Sequence, residues 1–237
     1  MSIKVVLFDL DGTLLPMDQD SFINAYITEL AKRLASDSLE IRRMVKSIFL
    51  CSEAMLQNNG EKTNESVFWD TYSKLNERDL KRDKEIIEDF YQNGFDKMQT
   101  YTSSNAKANE IIKRIRSKGL SVVLATNPVF PRVATEKRIS WAGIDANDFT
   151  LCTTFENSSF TKPNPKYYES ILSSLGIKAE EALMVGNDVG DDMVARDIGM
   201  SVFLLTDNLI NRENANISEF PNGNFDDLMT FFDFILQ

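Results

Sequence analysis

The stretch VVLFDLDGTLL, residues 5–15, constrains this chain more than any other. Its apolar side chains run without alternation, the pattern of a strand buried on both faces. The run ends on two aspartates, Asp9 and Asp11, one position apart and followed by Gly12. One buried carboxylate is costly without a partner, and two side by side cost more. A bound cation would offset that cost, so the pattern raises a metal site at the end of the most buried strand. Gly12 reads as structural, freeing the backbone just after the acids.

From residue 105 onward, short apolar runs alternate with amphipathic helical patterns. LSVVLAT (120–126), FTLCTTF (149–155), ALMVGND (182–188) and SVFLL (201–205) read as buried strands, like KVVLFD at the start. Ala108, Ile111, Ile112 and Ile115 share one helix face, and Gly119 follows as a stop. Asn164 and Pro165 open a helix that carries Tyr168, Ile171, Leu172 and Leu175 inward and ends at Gly176. Alternation of this kind specifies an α/β fold, a Rossmann-like parallel sheet covered on both faces. The tail is expected to end in a helix packed back on that domain.

Residues 17–100 have another texture, four helical stretches and no convincing strand. Their stripes are Ile23, Tyr26, Ile27, Leu30 and Leu34; Ile41, Met44, Val45 and Ile48; Phe68, Tyr72 and Leu75; and Ile86, Ile87 and Phe90. The aromatics Phe22, Tyr26, Phe49, Trp69 and Tyr72 read as core. The division is therefore an α/β core domain made of residues 1–16 and 101–237, with an inserted α-helical bundle, 17–100, as a second domain. Hinges are expected in PMDQDSF (16–22) and near 95–104.

Composition narrows the function classes. A net charge of −10 leaves no excess of Lys and Arg to displace counterions, so no nucleic-acid partner is expected. The basic run KRIRSKG reads as a solvated helix face. Histidine is absent, which removes Ser-His and Cys-His nucleophiles and every His-bearing metal site. Cys51 and Cys152 are far apart and read as inert reduced thiols. No segment approaches the ~18 consecutive apolar residues of a membrane helix, and the N-terminus lacks a secretory pattern. A cytoplasmic protein with no membrane association is the expectation.

In an open parallel sheet, ligands bind beyond the carboxyl ends of the strands. That rule brings together Asp9 and Asp11, Thr126 and Asn127, Lys162, and Asn187 and Asp188, from four separate segments.

The order DLDGTLL, LATN, KPNP, VGNDVGDD resembles the four motifs of the haloacid dehalogenase superfamily of hydrolases, across the whole α/β part of the chain. The helical insert after the first motif resembles the cap of its dehalogenase-like and phosphoglycolate-phosphatase-like members. The resemblance implies Asp9 as a nucleophile that forms an aspartyl-phosphate, and Asp11 as the general acid and base. It implies a Mg²⁺ ion held by Asp9, Asp188 and the backbone carbonyl of Asp11, a hard oxygen set. Thr126, Asn127 and Lys162 would bind the phosphoryl group. Asp192 would orient Lys162 or a metal-bound water. Asp191 is assigned no role.

Departures from the family pattern narrow the reaction. The dehalogenases lack an acid where Asp11 stands. The sugar phosphomutases use a cap histidine that is missing here, and neither Lys32 nor Lys46 has the context of the phosphonate-cleaving members' Schiff-base lysine. The expectation is Mg-dependent hydrolysis of a small phosphorylated metabolite, a phosphate monoester. A pyrophosphatase or nucleotidase specificity on the same site, or a catalytically weak binding or regulatory protein, is the alternative. Phe22, Tyr26 and Arg42 are candidates to touch the substrate. Substrate identity and oligomeric state are not readable from the sequence.

Overall fold

The computed structural model describes residues 3–235. Six strands form one sheet in the order β3-β2-β1-β4-β5-β6. They are β1 (Val5–Phe8), β2 (Ser121–Leu124), β3 (Leu151–Cys152), β4 (Ala182–Gly186), β5 (Ser201–Leu205) and β6 (Asn222–Gly223). All neighbours are parallel, and Val5 is in register with Ser121 on one side and Ala182 on the other. β1 is thus central, and its four residues are wholly buried. Val6 and Phe8 pack into one apolar layer, while Val5 and Leu7 pack into the other. Burial on both faces is why the strand carries no polar alternation.

The first layer receives α5 (Ala106–Ser117) and the C-terminal α8 (Phe225–Ile235), and the second receives α7 (Pro165–Leu175). α7 begins as its sequence predicts: Asn164 caps the amide of Lys166, Pro165 is the first helical residue, and Gly176 ends the helix at φ 64°.

Four of the five expected strands are longer than the observed ones, β1 and β2 by only one or two residues at each end. β3 covers only 151–152 of the predicted 149–155 because the chain leaves the sheet at Thr153, whose hydroxyl bonds the Thr126 carbonyl at 2.7 Å. A turn follows, closed where Asn157 Oδ1 accepts from the Thr154 amide at 2.9 Å. β4 stops at Gly186, and Asn187 and Asp188 turn out toward the site.

The inserted segment carries α1 (Gln19–Leu34), α2 (Ser38–Leu56), α3 (Asn64–Leu75) and α4 (Leu80–Asp89), which runs through a wide turn at 90–94 into a tight helical turn at 95–101. Asp18, Asp37, Thr63 and Asp79 cap the four helices in turn. A buried network ties them together. Tyr72 Oη donates to Asp83 Oδ2 at 2.7 Å, Arg78 Nε donates to the same oxygen at 2.7 Å, and Arg78 reaches Glu40 on α2.

The predicted stripes hold except at two edges. Leu75 is 46% exposed, and Phe49, expected in the core, is 42% exposed because it lines an open cavity under the insert rather than packing into the core. The two crossings into and out of the insert lie side by side, Met17 bridging Thr102 and the Ser103 amide bonding the Pro16 carbonyl at 2.9 Å. Apolar packing is continuous from the sheet into the insert. Tyr26 of α1 meets Phe130 at 5.0 Å, and Phe95 stacks on Trp141 of α6 (Arg132–Trp141) at 5.4 Å.

Candidate active site

Asp9 leaves β1 with its amide still bonded to Val185 of β4, at 2.9 Å, so the sheet fixes its backbone. Its two carboxylate oxygens have different surroundings. Oδ1 accepts from Lys162 Nζ at 2.8 Å, while Oδ2 meets only the Thr13 hydroxyl at 3.2 Å. That hydroxyl has one proton and lies nearer Asn187 Oδ1, at 2.9 Å, which leaves Oδ2 the less engaged atom.

Lys162 is buried and also donates to Asp192 Oδ1 at 2.6 Å. Burial alone would lower its ammonium pKa; Asp192 and Asp9 outweigh that and hold it well above the ordinary value. Burial pushes the Asp192 carboxyl up to about 7, against the pull of Lys162. Asp192 Oδ2 accepts from the Asp188 amide at 3.0 Å, closing the loop beneath the strand end. Two glycines make these approaches possible. Gly12 has φ 83°, and a Cβ there would stand 2.4 Å from Asn187 Nδ2. A Cβ on Gly186 would stand 2.1 Å from Asp192 Oδ2, so only glycine lets that carboxylate tuck under β4.

Asp11 turns away from Asp9 and pairs with Arg138 of α6. Burial raises its carboxyl to about 6, although Arg138 opposes the rise. Its Oδ1 is buried without a partner, and its backbone carbonyl accepts from Gln19 Nε2 at 2.6 Å. Arg138 itself is wholly buried, lies 4.1 Å over the Phe130 ring and bonds the Ala134 carbonyl.

Asp188 spends Oδ1 on the amides of Gly190 and Asp191, at 2.8 and 3.1 Å, and meets Arg212 with Oδ2 at 3.0 Å. Asn127 donates weakly to Asp191 at 3.4 Å, and its buried Oδ1 has no partner. Thr126 is buried, its carbonyl held by Thr153 and by Tyr167 of α7.

All seven predicted residues, Asp9, Asp11, Thr126, Asn127, Lys162, Asp188 and Asp192, line one cavity of about 220 Å³. Asp191, assigned no role from the sequence, lines it too. Phe22 is on its wall, Tyr26 lines an adjoining chamber, and Arg42 is exposed on α2 and lines neither. Sequence reasoning missed Arg138, Thr13 and Gln19. For Arg138 a signal existed, since an arginine on the same helix face as Ala134, Thr135 and Ile139 requires a buried partner.

Five carboxylates and one ammonium line the cavity, and with Arg138 on Asp11 and Arg212 on Asp188 the acids still outnumber the cations, the condition a bound cation would offset. Among the described residues no three acidic or thiol side chains are grouped to hold a metal by themselves. The available donors are the carboxylates of Asp9 and Asp188 and the carbonyl of Asp11. These are hard oxygens that suit Mg²⁺ with water and substrate oxygens completing its shell.

Fold and cavity together place a cluster of carboxylates at the strand ends of a parallel α/β sheet. A model of the haloacid dehalogenase-like hydrolase family matches residues 3–199, and the chain belongs to that family. It is similar to Pyrophosphatase PpaX of Bacillus cereus, 25% identical over 202 residues, covering 84% of this chain and 81% of the relative. The PpaX of Oceanobacillus iheyensis is 22% identical over 191 residues, 81% and 78% of the two chains. Among solved structures, a predicted phosphoglycolate phosphatase from Haemophilus somnus superposes with a TM-score of 0.61 at 18% identity, covering 98% of each chain. A 2-haloacid dehalogenase from Pseudomonas syringae pv. Tomato also gives 0.61, at 16% identity and 98% coverage of each. These structural likenesses establish the fold. No helix among the described residues is long and apolar enough to cross a membrane.

Proposed function

We propose that the protein is a Mg²⁺-dependent phosphatase that hydrolyses a small phosphate monoester through an aspartyl-phosphate on Asp9. The observation that carries this reading is the asymmetry of the Asp9 carboxylate. One oxygen is held by a buried lysine and the other faces the cavity nearly free. Oδ2 attacks phosphorus, the Asp9 O–P bond forms and the ester O–P bond breaks. Asp11, raised to about 6, gives its proton to the departing alkoxide. In the second half a water oxygen bonds phosphorus, the Asp9 O–P bond breaks and Asp11 takes the water's proton. Lys162, held by Asp192, keeps Asp9 aimed and balances charge on the phosphoryl group, which Thr126 and Asn127 flank. A cation bound by Asp9, Asp188 and the Asp11 carbonyl would offset repulsion between nucleophile and substrate. Arg138 holds Asp11 aside, so Asp11 must swing toward the leaving oxygen when substrate enters.

Residues 17–100 act as the cap of a core formed by 1–16 and 101–237, and the paired crossings at Pro16–Ser103 and Met17–Thr102 are its hinge. The cytoplasmic setting expected from the sequence belongs to the same proposal. The names of the PpaX relatives favour a second reading, pyrophosphate as substrate on this same site.

The test is release of inorganic phosphate from acetyl phosphate, simple alkyl phosphates and pyrophosphate, with Mg²⁺ and after its removal by chelation. Release that needs Mg²⁺ and vanishes in Asp9→Asn supports the phosphatase. Release that survives in Asp9→Asn refutes the assignment of the nucleophile.

A further inference from the structure

The cavity above Asp9 adjoins a second chamber of about 410 Å³ under the helical insert. The two share five lining residues, Ile23, Ser52, Leu56, Val129 and Phe130, so one lies directly against the other. Asp9 and Lys162 sit at the closed, sheet end. A substrate whose phosphorus is at Asp9 therefore has this chamber as a place for its leaving group.

The chemistry of the chamber differs sharply from that of the site. Its walls are Ile27 of α1, Phe68 and Trp69 of α3, Ile87 of α4, and Phe155 from the loop after β3. The hydroxyls of Tyr26 and Tyr91, which also face it, are bonded to each other. The other polar side chains on its lining are Ser52 and Glu53, and Glu53 is exposed. No lysine or arginine lines it, and the one cation lining the inner cavity, Lys162, is already shared between Asp9 and Asp192. Arg138 and Lys84 stack on the Phe130 and Trp69 rings rather than line the chamber, so a second phosphate or a carboxylate on the substrate would meet hydrocarbon in place of its water. A sugar or nucleotide would lose its hydration without gaining hydrogen bonds. An uncharged ring or branched hydrocarbon loses nothing of the kind and gains by leaving water. A cavity of roughly 150 Å³ holds a benzene, so this chamber accommodates a hydrocarbon on the order of ten to fifteen heavy atoms.

We propose that the substrate is the phosphate monoester of an apolar, ring-bearing alcohol, with its hydrocarbon in the chamber between α1, α3 and the 129–130 and 155 segments. This rests on the phosphatase reading above and specifies its leaving group. The same geometry disfavours pyrophosphate, whose second phosphoryl group finds no lysine or arginine on the chamber lining.

The experiment compares kcat/KM for n-propyl phosphate, 3-phenylpropyl phosphate, 3-(2-naphthyl)propyl phosphate, glycerol phosphate and pyrophosphate, with acetyl phosphate as a small activated control. The first three are esters of primary alcohols of similar acidity, so they differ chiefly in hydrocarbon. Each added ring should raise kcat/KM by at least about 10-fold, and the charged and hydroxylated compounds should be worse than n-propyl phosphate. Trp69→Ala should reduce the phenylpropyl-to-propyl ratio several-fold. Intrinsic fluorescence should report saturable binding of 3-phenylpropan-1-ol to the native protein, with the response lost in Trp69→Ala. Turnover of acetyl phosphate with no gain from the rings, or with pyrophosphate or glycerol phosphate preferred, overturns the substrate class and leaves the phosphatase standing. No phosphate release from any compound, acetyl phosphate included, takes down the phosphatase reading and this proposal together.

Discussion

The sheet end of the cavity and the chamber under the insert are built on opposite terms. At the sheet end, Asp9, Asp11, Asp188, Asp191 and Asp192 gather around one lysine, each placed by a strand end or the turn after it. In the chamber, the walls come from the helices of the insert and from the 129–130 and 155 loops, and are almost entirely hydrocarbon. The acidic half is held by ladder hydrogen bonds and by contacts that demand glycine at residues 12 and 186. The apolar half depends on side-chain packing that crosses from insert to core through Tyr26, Phe95 and Phe130. The difference teaches a division of labour. On the proposed function, the backbone of the sheet places the reacting groups, while the apolar walls of the insert select the leaving group.

The sharpest way to break that comparison is at the nucleophile. Asp9→Asn should lower kcat by about 10⁴-fold or more for every substrate, because an amide cannot take its place whatever fills the chamber. A loss that depended on the leaving group would mean that Asp9 does not form the intermediate.

Next is the buried pair. Lys162→Met leaves Asp9 and Asp192 facing each other unpaired, and breaking such a pair costs about 3–5 kcal/mol. For a chain of this size that is a Tm lower by about 10 °C, read by calorimetry without Mg²⁺, together with a fall in activity of about 10²-fold. An unchanged Tm would show that the pair is not holding the strand ends together.

Asp11 separates the halves by leaving group. Asp11→Asn should lower kcat/KM for n-propyl phosphate about 10²–10³-fold and for acetyl phosphate far less, because kcat/KM reports the first half-reaction and an acyl phosphate departs without needing a proton. The sign of the pH effect follows. The carboxyl is raised to about 6, and the acid works only when protonated. Turnover of the alkyl ester should therefore decline as pH rises through that value, and acetyl phosphate should lack the decline. Identical profiles would remove Asp11 as the acid.

The smallest effect is expected at Arg212, whose bond to Asp188 is made from a side chain 65% exposed. Arg212→Gln should shift Tm by less than about 2 °C, read in the same calorimeter, and a larger shift would make that rim part of the site's scaffold.

The parts of the site that were legible in the sequence are those carried by local pattern. Asp9 and Asp11 stand at the end of an unbroken apolar run, and Asn164-Pro165 announces α7 and so the loop that brings Lys162. The parallel sheet follows from alternating textures, and the helical insert from stripes at helical spacing. The helix face of Arg138 signals a buried partner, but that the partner is Asp11, 127 residues away, was hidden. Gly186 is unremarkable in a strand until Asp192 is seen where its Cβ would be. The cavity-facing position of Phe49 and the early end of β3 depend on tertiary contacts, the latter accompanied by bonds of the Thr153 hydroxyl with Thr126 and Tyr167.

The central claim, that Asp9 becomes covalently phosphorylated, is tested most directly by acid-quenching the protein during steady-state turnover of acetyl phosphate with Mg²⁺ and mapping its peptides by mass. The account predicts one phosphoryl group, on the peptide that contains Asp9, absent without substrate and absent in Asp9→Asn. Full turnover with that peptide unmodified at every quench time, or a phosphoryl group on another residue, would contradict it.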